Sequence, residues 1–319
     1  MYAILSIRPI VCAFFTCLAG ILLLFSCSSL RNEVDPSLLG IESAKIVVSS
    51  FLSPQDTLLA VKLTRSSTVV GDSLSLLQTG NNITDATVTL SDGAKLVVLR
   101  YNNRRSPRDS VRPYYSASAS LLPIIVGHTY TLSIITANGQ RASSTCTIPA
   151  AVPLTAMKFD SLTEQGRNPA RRYYVEPRWQ DPAGQVNYYQ LAGYFRYTTR
   201  LNQSGTFPLS FDDDNRGLTS DVGIDGSLMP LSSIRVYMTS STLTGNQQTG
   251  FYNQYKTAVV RANLMSVDQS FYRFQEAVIR QRRVRNNPFA EPVLIPSNIQ
   301  GGLGCFAGYN NSTLTLTLK

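Results

Sequence analysis

From Ser43 to Ile148 apolar and polar residues alternate at period two, in short runs closed by turn signals. A side chain that faces the other way at every step fits a pleated strand with one buried face, and it does not fit a helix. Leu59, Val61 and Leu63 alternate with Ala60, Lys62 and Thr64. Ala86, Val88 and Leu90 alternate with Thr87 and Thr89, and Asp92-Gly93 then makes a hairpin turn into Lys95–Arg100. Tyr130, Leu132 and Ile134 alternate with Thr131 and Ser133, before Asn138-Gly139 turns the chain into a strand through Cys146. About seven strands at this spacing predict an antiparallel sandwich of roughly 100 residues.

The chain from 154 to 319 repeats the pattern with longer loops. Tyr188–Tyr197, Ile234–Met238 and the Leu314, Leu316, Leu318 series read as strands. One helix is expected over 266–282, opened by Ser266 and Gln269 as a capping box. Val267, Phe271, Phe274 and Val278 form its apolar stripe, packed on the second sheet. Arg280, Arg282, Arg283 and Arg285 fall in its last turn and exit, where cations complement the negative end of a helix dipole.

Ahead of these strands, an apolar run from Ile10 follows Arg8 and ends in Leu24-Phe25-Ser26-Cys27. A basic start, an apolar core and small residues at its end mark a secretory signal. Leu24 at the third position before Cys27 resembles a bacterial lipobox, although Phe25 stands where a smaller residue is usual. That resemblance implies cleavage before Cys27, diacylation of its thiol and acylation of the new terminus; a signal cut elsewhere and an uncleaved anchor are the other readings. The expected layout is a signal peptide at 1–26, a tether at 27–41, a first sandwich at 42–150, and a second, larger β-rich domain at 151–319. In the tether, Glu33 and Asp35 loosely resemble a surface-export signal of Bacteroidota lipoproteins. The fragment Gly127-His-Thr-Tyr-Thr-Leu132, with Thr147-Ile-Pro149 after it, resembles the end of an immunoglobulin-like or transthyretin-like module.

The formal charge is +9, and an exported protein of that charge meets lipid headgroups or acidic partners rather than nucleic acid. Solubility alone is the plainest account of it. Of five cysteines, Cys12 and Cys17 lie in the signal and Cys27 is the lipid site, leaving Cys146 and Cys305. Alternation puts Ala142, Ser144, Cys146 and Ile148 on one face, so a buried free thiol is expected there, with a bond to Cys305 as the alternative.

The single histidine, His128, would have to serve any Ser-His-Asp triad, and no G-x-S-x-G elbow accompanies it. A turn-flanking role suits it better. Asp212, Asp213 and Asp214, with Asp221 and Asp225 beyond, offer oxygen ligands for calcium, but Arg216 and Gly223 break the EF-hand template. A solvated acidic loop is the simpler reading, and no cofactor is called for. Paired carboxylates of a glycoside hydrolase leave no sequence spacing to recognise. Tyr173-Tyr174, Tyr188-Tyr189 and Trp179 suit half-buried strand faces as well as ligand stacking.

The segment Asn287 to Tyr309 is the most distinctive. Pro288, Pro292 and Pro296 forbid a helix interior, and Gly301, Gly302, Gly304 and Gly308 permit unusual backbone. It is expected to be an ordered loop packed through Phe289, Leu294, Ile299, Leu303 and Phe306, leading into a strand. A docking surface built on Asn287, Pro288, Phe289, Glu291, Asn298, Gly301 and Gly302 is the alternative.

Asn287-Pro-Phe-Ala-Glu-Pro292 followed by Ser297-Asn-Ile-Gln-Gly-Gly-Leu-Gly-Cys-Phe-Ala-Gly-Tyr309 resembles the signature of a family of Bacteroidota envelope lipoproteins called domain of unknown function 4249. Ile46-Val-Val-Ser-Ser-Phe-Leu-Ser-Pro54 and the Asp92-Gly93 hairpin extend the similarity. The resemblance implies an outer-membrane lipoprotein, often encoded beside SusC-like TonB-dependent receptors, and it supplies no catalytic residues. The expected function is a non-enzymatic accessory partner of such a nutrient transporter. A pilin-like subunit or adhesin exchanging the Leu314–Leu318 strand is a second reading. A surface glycan hydrolase is a third.

Overall fold

The computed structural model describes residues 44–66, 81–102, 113–163, 171–211, 215–229, 236–237, 251–285, 287, 289–291 and 293–319. They are mainly strand. In the first half lie β1 Ile46–Leu52, β2 Leu58–Arg65, β3 Thr87–Ser91, β4 Leu96–Asn102, β5 Tyr114–Ser118, β6 Thr129–Ile135 and β7 Arg141–Thr147. The second half holds β8 Ala156–Thr163, β9 Arg171–Gln180, β10 Tyr188–Thr199, β11 Ser204–Pro208, β12 Ser210–Phe211, β13 Leu218–Ser220, β14 Leu228–Met229 and β15 Val236–Tyr237. The long strands β16 Tyr255–Val267 and β17 Gly302–Thr317 flank the helix α1 Gln269–Val284.

The alternation of the first half becomes a buried face. Leu59, Val61, Leu63, Val88, Leu90, Tyr130, Leu132 and Ile134 form one core with Cys146 and Ile148. Tyr130 sits in it with its hydroxyl donating to Pro123 O (2.9 Å) and accepting from Ile125 N (2.8 Å). This is the tyrosine-corner device of immunoglobulin-like sandwiches, which ties a strand to the loop before it.

A larger sheet runs β11-β10-β16-β17-β1-β2-β5-β4-β3-β6-β7, with β13 also on β10, and a smaller one joins β12, β15, β9, β14 and β8. The smaller sheet faces β10 and β16 across a second core of Val175, Trp179, Tyr189, Leu191, Phe195, Val260 and Leu264. The sandwich-like, mainly β architecture is the one that the alternation predicts.

Strand β17 links the two halves. Its first part pairs parallel with β1, Ile46 opposite Gly302 and Leu52 opposite Gly308, and its second part pairs antiparallel with β16. Parallel neighbours need a long connection, and here nearly the whole chain supplies it. All these strands belong to one compact unit, Lys45–Ser67 with Leu77–Lys319.

The helix begins three residues later than the expected 266. Asp268 is its N-cap, accepting from Phe271 N at 2.8 Å, while Ser266 stays in β16 and its hydroxyl accepts from Val152 N at 3.1 Å. Both residues are competent caps. The ladder decides between them, because β16 remains paired to β10 and β17 as far as Val267. Of the expected stripe, Phe271 is buried and Phe274 half-buried against a core with Val267, Cys305 and Ala307, while Ala277 and Ile279 are the helix's other buried residues. Ile234–Met238 is described only at Val236–Tyr237, as β15. The tether and Cys27 lie outside the described residues.

Candidate functional site

After β7 the chain crosses to β8 through Pro149–Pro153. Proline leaves such a linker few backbone hydrogen bonds, so neighbouring side chains hold it. Asn310 Nδ2 donates to Pro149 O (3.0 Å), Ser266 Oγ accepts from Val152 N, and Ser312 Oγ accepts from Leu154 N (2.8 Å).

This linker forms one wall of a cleft of about 650 Å³, within the range of small-molecule sites. The other walls are the Val126–Gly127 turn, the 180–188 connection between β9 and β10, and the β16–α1 junction at Ser266–Gln269. Gln180, Gln185 and Asn187 line it with amides, and Val126 and Val186 with exposed apolar surface. Gln269 Nε2 donates to the Tyr188 hydroxyl (3.0 Å), fixing a phenol in its wall. Asp268 is the charged lining residue, and its carboxylate is committed to Phe271 N and to Gly308 N (2.7 Å). Burial nevertheless raises the Asp268 carboxyl above its ordinary value, against the lowering effect of those donors. The cleft thus offers amides, a phenol and valines: groups that hold an uncharged ligand.

Behind the cleft wall three carboxylates converge. One oxygen each from Asp181, Asp221 and Asp225 lie within 4.8 Å of one another, with Asp181 and Asp221 buried and Asp225 exposed. Asp181 accepts from the Tyr189 hydroxyl and from Gly226 N (2.9 Å). Asp221 accepts from Asn187 N (2.9 Å) and Asn187 Nδ2 (3.3 Å), and Asp225 accepts from Gly184 N (2.9 Å). Burial raises the Asp221 carboxyl, and the Asp181 charge beside it adds to the rise. Burial and the bond to Asp181 likewise push the Tyr189 hydroxyl up. Two close buried carboxylates favour holding one proton between them. The arrangement cross-links the 181–187 and 221–227 loops. Oxygen donors of this kind are also those a calcium ion takes.

Of the calcium candidates, Asp212, Asp213 and Asp214 lie outside the described residues. Asp221 and Asp225, noted beyond them in the sequence, do meet, but on Asp181, which the sequence reading passed over. The Asp181-Pro182-Ala-Gly184 turn signal was visible; its meeting with the 221–227 loop was not. His128 stands exposed just before β6, with its N–H on Ile125 O (3.2 Å) and its carbonyl accepting from Ile148 N (3.1 Å), a turn-flanking residue. Cys146 and Cys305 are both buried and free, and burial raises both thiols, Cys305 to about 12.

The segment 287–309 divides in two. Asn298 clamps the entry to β17, its Oδ1 accepting from Phe306 N (3.0 Å) and its Nδ2 donating to Phe306 O (2.6 Å). Gly304 has φ +108°, and a Cβ there would stand 1.9 Å from Val48 O. A Cβ on Gly301 would meet Arg141 O at 2.3 Å, and one on Gly302 would meet Ile46 O at 2.7 Å. Asn298, Gly301 and Gly302 therefore serve the passage of β17 past β1 and β7. Ile299 and Phe306 are packed as expected, whereas Phe289, Leu294 and Leu303 are not: they are 95%, 91% and 40% exposed. Asn287, Phe289 and Glu291 all lie on the surface, and Pro288 lies outside the described residues. Phe289 and Leu294 precede the Asn298 clamp, after which the chain is first drawn into the core, while Leu303 stands on the outward side of β17.

The fold is mainly β and sandwich-built, with a cleft beside the Pro149–Pro153 linker. The family model called Domain of unknown function (DUF4249) matches residues 31–315, and the chain belongs to that family. No curated protein matches it.

Proposed function

We propose that this is an outer-membrane lipoprotein, anchored through Cys27, that captures a ligand without chemistry and presents it to a TonB-dependent transporter. The cleft beside the Pro149–Pro153 linker carries the reading. Its amides, phenol and valines can hold an uncharged ligand, and its carboxylate is occupied in capping α1 and bonding Gly308. The lipobox and membership of the family support the envelope location. Purification of the tagged protein from gently solubilised outer membranes, with mass spectrometry of its companions, tests it. A TonB-dependent receptor in near-equal amount is the expected result. The lipoprotein alone would overturn a stable complex, and a ladder of its own oligomers would favour the pilin-like subunit instead.

A further inference from the structure

We infer that the surface displaying Phe289 and Leu294 is a second membrane contact, in which these two side chains enter the headgroup region of an anionic bilayer while the arginines at the end of α1 rest on lipid phosphates. The inference rests on the lipoprotein reading only for which bilayer it touches. Phe289 and Leu294 are more exposed than any other large apolar residue among the described ones, the next being Leu201 at 82%. Exposure of that degree leaves almost all of each side chain without protein contacts, so its apolar area is available to a lipid phase.

The segment is also held in shape. Asn287 N donates to Val284 O (2.9 Å), Ala290 N to Asn287 O (3.2 Å), and Phe289 N to Asn287 Oδ1 (3.0 Å). Pro296 fixes φ near its end. A pre-shaped loop loses little conformational entropy when it inserts.

Charge selects the occupant. Between 280 and 300 the chain carries Arg280, Arg282, Arg283 and Arg285 against the single acid Glu291. Arg280, Arg282 and Arg285 are exposed; Arg280 is loosely paired with Glu276 at 3.9 Å, and Arg283 donates to Asn215 (3.1 Å). Apolar tips that follow a basic run in the chain are the pattern of segments that lie in a membrane interface, where each cation near anionic lipid adds to binding. The acyl chains would hold the protein to the bilayer, and the loop would fix which face meets it.

The test uses the mature chain carrying Cys27→Ser, which removes the acyl anchor, sedimented with vesicles of phosphatidylcholine alone or mixed with phosphatidylglycerol. Binding to mixed vesicles that weakens with added salt is expected. The double variant Phe289→Ser/Leu294→Ser should bind about tenfold less, from the lost transfer of two apolar side chains. Leu201→Ser should bind as before. Absence of binding to mixed vesicles, or an unchanged double variant, would overturn the inference. So would unchanged vesicle binding with loss of a co-purified transporter, since that makes the loop a protein-docking knob. Acyl labelling of the unaltered protein reads the anchor separately: no label at Cys27 strikes the lipoprotein reading and leaves the vesicle result standing.

Discussion

The two parts of the segment 287–309 are both rich in apolar residues, with all the prolines before Asn298 and all the glycines after it, and they meet opposite fates. From Asn298 onward the backbone passes so close to β1 and β7 that a methyl group at Gly304 would overlap a carbonyl oxygen. Before Asn298 the same chain shows Phe289 and Leu294 almost wholly to solvent. Glycine serves the buried part by having no side chain where the backbones approach. The lesson is that one sequence signature can join a packing requirement to a surface requirement. Recurrence of both parts together would not show that they do the same work.

Gly304→Ala should break the buried part outright. The added Cβ meets backbone on a paired strand, at a positive φ, so relief requires β1 and β17 to separate, at a cost above about 4 kcal/mol. Loss of soluble, cooperatively melting protein is the expected outcome. Gly93→Ala supplies the contrast, since its φ is +92° with nothing within 4 Å of the added carbon. It should cost only about 1 kcal/mol in denaturant melts. Equal effects at the two sites would mean that conformation, and not clearance, governs the buried part.

A smaller effect is expected at Asp221, where burial is achieved by polar contacts without a backbone squeeze. Its carboxyl is raised above the ordinary 3.8, by burial first and the Asp181 charge after it. The folded state therefore binds its proton more tightly than the unfolded state. Stability from this group is full below the unfolded value and falls as pH rises through the folded one. Asp221→Asn removes the charge, and its Oδ1 can still accept from Asn187 N. A Tm about 2–4 °C above the unaltered protein at pH 7 is expected, shrinking to nothing below the ordinary carboxylate range. A gain that persisted in acid would show that the shared proton is not its source.

The smallest effect on stability belongs to the displayed part. Phe289→Ser removes a side chain with almost no protein contacts, so its melt should stay within about 0.5 kcal/mol of the parent. A loss of more than about 2 kcal/mol would mean that the residue packs after all, and would erase the contrast between the two parts.

Much of the fold was legible because the information is local. The alternation of Leu59, Val61 and Leu63, or of Tyr130, Leu132 and Ile134, names the inward face without knowing what lies opposite, since strand geometry alone sends alternate side chains to one side. The Ala142, Ser144, Cys146 and Ile148 face is buried as the alternation predicts. Helix existence was legible from its periodicity; its start was not, because Ser266 and Asp268 are both good caps and only the length of the β16 ladder separates them.

The candidate site was nearly invisible. Asp181 and Asp221 carry no shared motif, and the cleft's walls come from four separate stretches of chain. Contacts such as Gln55 to Asn310, 255 residues apart, follow no local period.

The sequence by itself determined the mainly β class, the strands with clear alternation and their buried faces, and the family, because side-chain alternation and turn chemistry act over a few residues. Only the tertiary structure decided that β17 runs parallel to β1, that the glycines of its first part are demanded by backbone clearance, and that Phe289 and Leu294 remain outside. Those outcomes depend on which distant backbone comes near, and chain distance imposes no pattern on the residues in between.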